Sequence, residues 1–350
     1  MMARNCAVVF MALAVCCSGL AYSDDNPKQR AAAGALQLQG AGATFPAPLY
    51  KKWLEEYQKQ HPDVQLSYKA IGSGEGIKQF MAGVVDFGAS DAAMSDEEMA
   101  AVARGVQLLP IVAGSIVLAY NLDGLGGELK LSRDVYVDIF LGKIKTWDDP
   151  RLKANNPNLR LPHDNIALVV RQDSSGTTYA FTNHLSAISA KWRDQGPGVG
   201  RVLAWPSHPM IAPGNEGVAG RIKHSKGAIG YVEYGFAQRA GLPMAWLENK
   251  AGQFIQPRGD SGMATLLNVE MPENLRIFFP DPDGKDSYPI VTFSWLLVYK
   301  QYDDQHKAAA LKQYIKWCLT EGQAFTEALG YIRLAPQVIA RTMTAVDSLQ

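Results

Sequence analysis

Three short stretches share one grammar: small residues, a hydroxyl, then an amphipathic helical pattern. They are Gly40-Ala41-Gly42-Ala43-Thr44-Phe45, Gly72-Ser73-Gly74-Glu75-Gly76 and Arg171-Gln172-Asp173-Ser174-Ser175-Gly176-Thr177. Each follows a strand pattern or precedes a helix pattern, so the chain is constrained to alternate the two. Alternation of this kind gives an α/β fold, a mostly parallel sheet with helices on both faces. Ligands of such sheets sit beyond the carboxyl ends of the strands. The first turn of a helix carries unpaired N–H groups and a partial positive charge, and it holds an anion well. Three such turns, one led by an arginine, point to a receptor for an oxyanion.

The remaining text fits that alternation. Pro48 to Lys59 reads as a helix, with Leu49, Trp53 and Tyr57 on one face. Val64, Leu66 and Tyr68 alternate as a strand, and Gly74 to Phe80 is the next helix. Val84 to Ser90 is a short strand with Asp91 at its carboxyl end, and Ser95-Asp96-Glu97-Glu98 is a capping box. Val112 to Tyr120 is an apolar strand, Val135 to Phe140 a helix, and Ile166 to Val170 a strand that feeds Arg171. Thr178 to Leu185 is helical, Ala228 to Glu233 a strand, and 256–288 a stretch of surface loops rich in Gly, Pro and Asp. Ile290 to Lys300 is a strong strand interrupted by Thr292 and Ser294. Lys307 to Leu319 and Glu321 to Leu329 read as helices.

The N-terminus reads as a signal peptide. Arg4 precedes the apolar run Cys6 to Val15, and Ala21-Tyr22-Ser23 fits a cleavage site, so residues 1–23 are expected to leave. An anchor helix is the alternative, but the run is shorter than the roughly 20 residues a bilayer needs. Lipidation at Cys16 or Cys17 is a minority alternative. Residues 24–37 are expected to form a loose arm. Cys318 is then the one cysteine left, which excludes an intramolecular disulfide. The mature chain exceeds what one core usually holds, so two domains are expected. Lys plus Arg and Asp plus Glu both number 34, with no basic stripe, which argues against nucleic acid and anionic membrane as partners. Anion binding must therefore come from locally aimed dipoles.

Taken singly, each candidate loop has a plainer reading. Arg171 emerges from a buried strand, and its guanidinium fork matches a tetrahedral oxyanion, with Asp173 placed to steady it. Ser175, Gly176 and Thr177 would add hydroxyls and N–H groups; an ordinary helix cap explains them equally well. Gly72 to Gly76 is either a binding turn with Ser73 as donor or a flexible turn. It is neither a dinucleotide fingerprint nor a nucleotide phosphate loop. Glu75 is expected to point outward. Thr44 and the N–H of Phe45 face a ligand or simply cap a helix. Asp91 is a cap, or a carboxylate that accepts the proton of a protonated anion. Phosphate has such a proton at neutral pH and sulfate has none. A phosphatase would need an activated nucleophile or metals. The six histidines show no metal spacing, no Gly-x-Ser-x-Gly elbow is present, and no cofactor is indicated.

Together these motifs resemble the periplasmic phosphate-binding proteins of ABC-type phosphate importers. The matching segments are 40–50, Gly72-Ser73-Gly74, Val85-Asp86-Phe87-Gly88-Ala89-Ser90-Asp91 and 171–178, supported by 138–147, 214–218 and 227–234. The resemblance spans about residues 38 to 340. It implies a two-lobed fold, each lobe a mostly parallel sheet flanked by helices, with the ligand cleft between them. Lobe I would be 38–115 plus 290–350, and lobe II 116–289. It also implies inorganic phosphate as ligand, held by Thr44, Phe45, Ser73, Asp91, Arg171, Ser175, Gly176 and Thr177, with Asp173 supporting Arg171. The implied partner is an inner-membrane ABC permease, the place the periplasm, and the expected state a monomer without metal or enzymatic activity. A receptor for sulfate and an exported phosphatase-like enzyme are the alternatives. Two departures from the family pattern are Ser174 and Glu75.

Overall fold

A computed structural model describes residues 35–267 and 269–350. The expected signal peptide, the Cys16–Cys17 pair and nearly all of the expected arm lie outside the described residues. The strands are β1 (Leu36–Gly42), β2 (Val64–Ala70), β3 (Phe87–Ser90), β4 (Val106–Tyr120), β5 (Lys130–Leu131), β6 (Ala167–Arg171), β7 (Met210–Ala212), β8 (Ala228–Glu233), β9 (Trp246–Glu248), β10 (Phe254–Ile255) and β11 (Val291–Tyr299). Eight of them form one sheet in the order β2-β1-β3-β11-β4-β8-β6-β7, and β10-β9-β5 form a small second sheet. Because β1 starts at Leu36, the last two residues of the expected arm belong to the sheet.

The large sheet is parallel in its wings and antiparallel in its middle. β1 pairs in parallel with β2 and β3, and β6 with β7 and β8. The β11–β3, β11–β4 and β4–β8 pairs are antiparallel. The expectation of mostly parallel strands thus holds where helices make the crossovers. It fails at the centre, where β4 runs from one wing into the other and its antiparallel pairs with β11 and β8 need no crossover. β4 pairs with β11 as far as Ser115 and with β8 from Ile116 onward. The N–H of Ile116 donates to the Ile290 carbonyl at 2.9 Å, so both connections between the wings lie side by side.

β4 is longer than its apolar run suggested. Pro110 argues against a central strand, yet it opposes Trp295 while Val112 opposes Ser294, leaving Ile111 as the extra residue of a bulge. A bulge is where a sheet tolerates proline. Helix 47–60 packs Trp53 and Tyr57 toward the helix at 305–319, with Tyr57 edge-on to Tyr314 and Trp317. Cys318 is buried there as a free thiol.

Two expectations about helices need correction, and one helix had no expectation at all. The 256–288 loops contain a helix at Gly259–Leu266, and the C-terminal helix Pro336–Asp347 was not foreseen. Glu321–Leu329 is two 3₁₀ turns, not an α-helix. There the Trp53 indole N–H donates to the Gly322 carbonyl, and Thr326 N–H turns instead to Gln323 at 3.3 Å. That shift from a four-residue to a three-residue step tightens the turn.

Candidate functional site

The loops singled out in the sequence meet between the wings. Thr44 follows β1, Ser73 opens the helix Ser73–Met81 after β2, and Asp91 follows β3. From the other wing come Arg171 at the end of β6 and Gly176 at the start of the helix Gly176–Ile188. All five positions lie at the carboxyl ends of parallel strands or just past them.

Asp91 is 1% exposed. Its Oδ1 accepts from Ser294 Oγ at 2.8 Å, and its main-chain N–H donates to Ser73 Oγ at 3.2 Å. Ser73 Oγ also lies 3.5 Å from Asp91 Oδ2. Burial raises the Asp91 carboxyl to about 7, although the Ser294 hydrogen bond and the nearby Arg171 charge pull the other way. The result is a buried carboxyl poised between its charged and neutral forms near neutral pH.

Arg171 is held from three sides. Its Nε donates to Asp173 Oδ1 at 2.8 Å, and its Nη2 pairs with Asp173 Oδ2. Its Nη1 donates to Thr177 Oγ1 at 3.3 Å, while its main-chain N–H donates to the Tyr231 hydroxyl at 3.2 Å. Asp173 Oδ1 accepts also from the Gly214 N–H at 2.9 Å. Burial pushes the Asp173 carboxyl up, but the Arg171 hydrogen bonds and charge outweigh it and hold it below the usual carboxylate range. The expected steadying contact between these two residues is therefore present, and it is bidentate.

The helix after Arg171 begins with a genuine cap. Ser175 Oγ accepts from Thr178 N–H at 3.1 Å, which leaves the hydroxyl proton to donate elsewhere. The N–H groups of Gly176 and Thr177 occupy the first turn, where a helix offers no internal partner. Gly176 touches the opposite wing: a Cβ there would lie 2.6 Å from Ser73 Oγ and 2.7 Å from Asp91 Cβ. Gly74 N–H donates across the same interface to the Ser174 carbonyl at 3.0 Å, so the departure at Ser174 falls on an inter-wing contact. Glu75 turns along its own helix and accepts from Gln79 at 3.1 Å.

Phe45 enters differently. Its ring is buried against Gly114 and Tyr331, and its carbonyl accepts from the Tyr331 hydroxyl at 2.7 Å. Only its N–H is a candidate for a ligand. Two residues of the cluster were missed by the sequence reading. Ser294 was noted only as an interruption of an apolar strand, which was in fact its signal. Asn215 lies 0% exposed at the start of the helix Gly214–Lys223 and bonds both Thr44 and Thr177. It carries the strand-to-helix grammar without a hydroxyl. A cavity of about 450 Å³ borders the cluster, lined among others by Thr44, Lys51 and Ile71 and by Asp173, Gly214 and Phe236. Among the described residues no group of three His, Cys, Asp or Glu side chains is arranged for a metal ion, and no helix is long and apolar enough to cross a membrane.

A sheet in two wings, with loops from both converging on an arginine and a buried carboxyl, defines a two-lobed solute-binding protein. The family model described as "PBP superfamily domain" matches residues 27–321. The phosphate-binding protein PstS of Pasteurella multocida is 39% identical over 310 residues, covering 88% of this chain and 89% of the relative. That of Methanocaldococcus jannaschii is 36% identical over 370 residues, covering 99% and 94%. A solved structure of a high affinity periplasmic phosphate-binding protein (PfluDING) superposes with a TM-score of 0.74 at 22% identity, covering 88% of this chain and 93% of that one. The chain belongs to the PBP superfamily and, within it, to the family of the PstS proteins.

Proposed function

We propose that this protein captures inorganic phosphate in the cleft between its wings and delivers it to an inner-membrane ABC permease. The observation that carries the reading is Asp91: a buried carboxyl inside an anion-binding cluster makes sense when the anion brings a proton for it to accept. Arg171 supplies the charge, steadied by Asp173. Ser73, Ser175 and the threonines Thr44 and Thr177 supply hydroxyls, and the N–H groups of Phe45, Gly176 and Thr177 complete the cradle. Phosphate-bound proteins with the same fold support the choice of ligand.

The two wings act as lobes, 38–115 plus 290–350 and 116–289, which close on the ligand by bending at the paired strands near Ser115 and Val291. Closure dries the site and strengthens each hydrogen bond in it. The protein works in the periplasm as a monomer after cleavage near Ser23, and it binds without turnover.

Calorimetric titration tests this directly. Phosphate is expected to bind with at least 1,000-fold preference over sulfate, since a buried acceptor facing an unprotonated anion costs several kcal/mol. Asp91→Asn is expected to erase most of that preference. Equal binding of the two anions by the parent protein overturns the phosphate reading, and steady turnover of a chromogenic phosphate ester overturns the absence of catalysis.

A further inference from the structure

Asn215 is fully buried, and every polar group of its side chain is engaged. Its Oδ1 accepts the Glu233 main-chain N–H at 3.0 Å. Because a backbone N–H can only donate, the amide orientation is fixed, and Nδ2 must be the group facing the threonines. Nδ2 donates to Thr44 Oγ1 at 3.1 Å in one wing and to Thr177 Oγ1 at 3.2 Å in the other.

A hydroxyl has two acceptor sites and one proton. Thr44 Oγ1 accepts a second time, from the Asn215 main-chain N–H at 3.2 Å. Thr177 Oγ1 accepts a second time, from Arg171 Nη1 at 3.3 Å. Both hydroxyls have thus filled their acceptor sites, and each has only its proton left to offer. We infer that Asn215 is a positioning residue that turns Thr44 and Thr177 into obligate donors, one from each wing, aimed at the anion between them. This rests on the phosphate reading given above and extends it. The site would then hold Asp91, which accepts in its charged form, and donors of fixed sense around it. A ligand oxygen that carries a proton is steered toward Asp91, because the threonine corner can only donate. Asn215 also joins the wings through a single amide, so the arrangement is complete only when they are closed.

The test is a cycle of variants titrated with inorganic phosphate. Asn215→Ala is expected to weaken binding at least 30-fold in the parent, and less than 3-fold when Thr44→Val and Thr177→Val are already present. An equal loss in both backgrounds shows that Asn215 acts by a route other than the two hydroxyls and overturns the inference. Should Asn215→Ala fail to fold, Asn215→Asp is the isosteric substitute, since its carboxylate still accepts from Glu233 N–H but cannot donate. It is expected to cost at least 100-fold in the parent and at least 10-fold less in the double-valine background. Binding within 3-fold of the parent by Asn215→Asp overturns the inference as well. If the parent itself binds no phosphate, the ligand reading fails separately, before any variant is compared.

Discussion

Asp91 shows how much one side chain depends on its surroundings. In the sequence it is an aspartate at the end of a short strand, equally suited to capping a turn. In the fold it is sealed from water beside Ser73 and Ser294, and burial lifts its carboxyl to about 7. The native state therefore keeps this proton at pH values where the unfolded chain has lost it. Stability is fully present below about pH 4 and declines as pH rises, levelling off above about pH 7, with a total loss on the order of 4 kcal/mol. Asp91→Asn removes that penalty. In phosphate-free urea unfolding, the variant is expected to gain over the parent at pH 8 and to gain nothing at pH 4; the same difference at both pH values would show that titration of Asp91 is not its source. Arg171 and Asp173 were legible as a pair because they are two residues apart at a strand end. Ser294 and Asn215 were not, because their partners are distant in sequence: 203 residues separate Ser294 from Asp91, and 171 separate Asn215 from Thr44.

Among the elements, the helix starts were the clearest text. The Ser95 capping box is present with both reciprocal bonds, and Ser175 caps Gly176–Ile188 as its position suggested. Caps are local chemistry and need no knowledge of the fold. What such a helix start faces is a different matter. Gly176 abuts Ser73 and Asp91, and its missing Cβ is what permits the two wings to come together. Gly176→Ala is expected to weaken phosphate binding about 10- to 100-fold, because a methyl forced into a filled contact costs about 1–3 kcal/mol. The melting temperature without ligand should change by less than a degree or two, as the wings can then part. A melting temperature that falls sharply without ligand would place the strain within one wing. The 3₁₀ turns at Glu321–Leu329 were misread for the opposite reason, since their geometry is set by the Trp53 indole from a helix at the other end of the chain.

At the scale of the molecule, the rim of the cleft carries its own fastening. Arg201, whose carbonyl accepts from Ser175 N–H in one wing, pairs through Nη2 with Glu98 Oε1 in the short helix of the other. Both side chains keep partial access to water, at 28% and 22%, so the pair contributes about 1 kcal/mol and is screened by salt. Arg201→Ala is expected to speed phosphate release about fivefold at low salt, with the difference shrinking in 1 M sodium chloride. Stopped-flow release rates that are equal at low salt would remove this pair from the closed state. The sequence by itself determined the alternation of strand and helix, the caps, the apolar strands and the residues with the right chemistry, because these are written in short-range spacing. The tertiary structure alone decided that the middle of the sheet is antiparallel, that one amide reaches both threonines, and that Asp91 is dry. Those outcomes depend on which distant segments share a surface, and spacing along the chain carries no record of that.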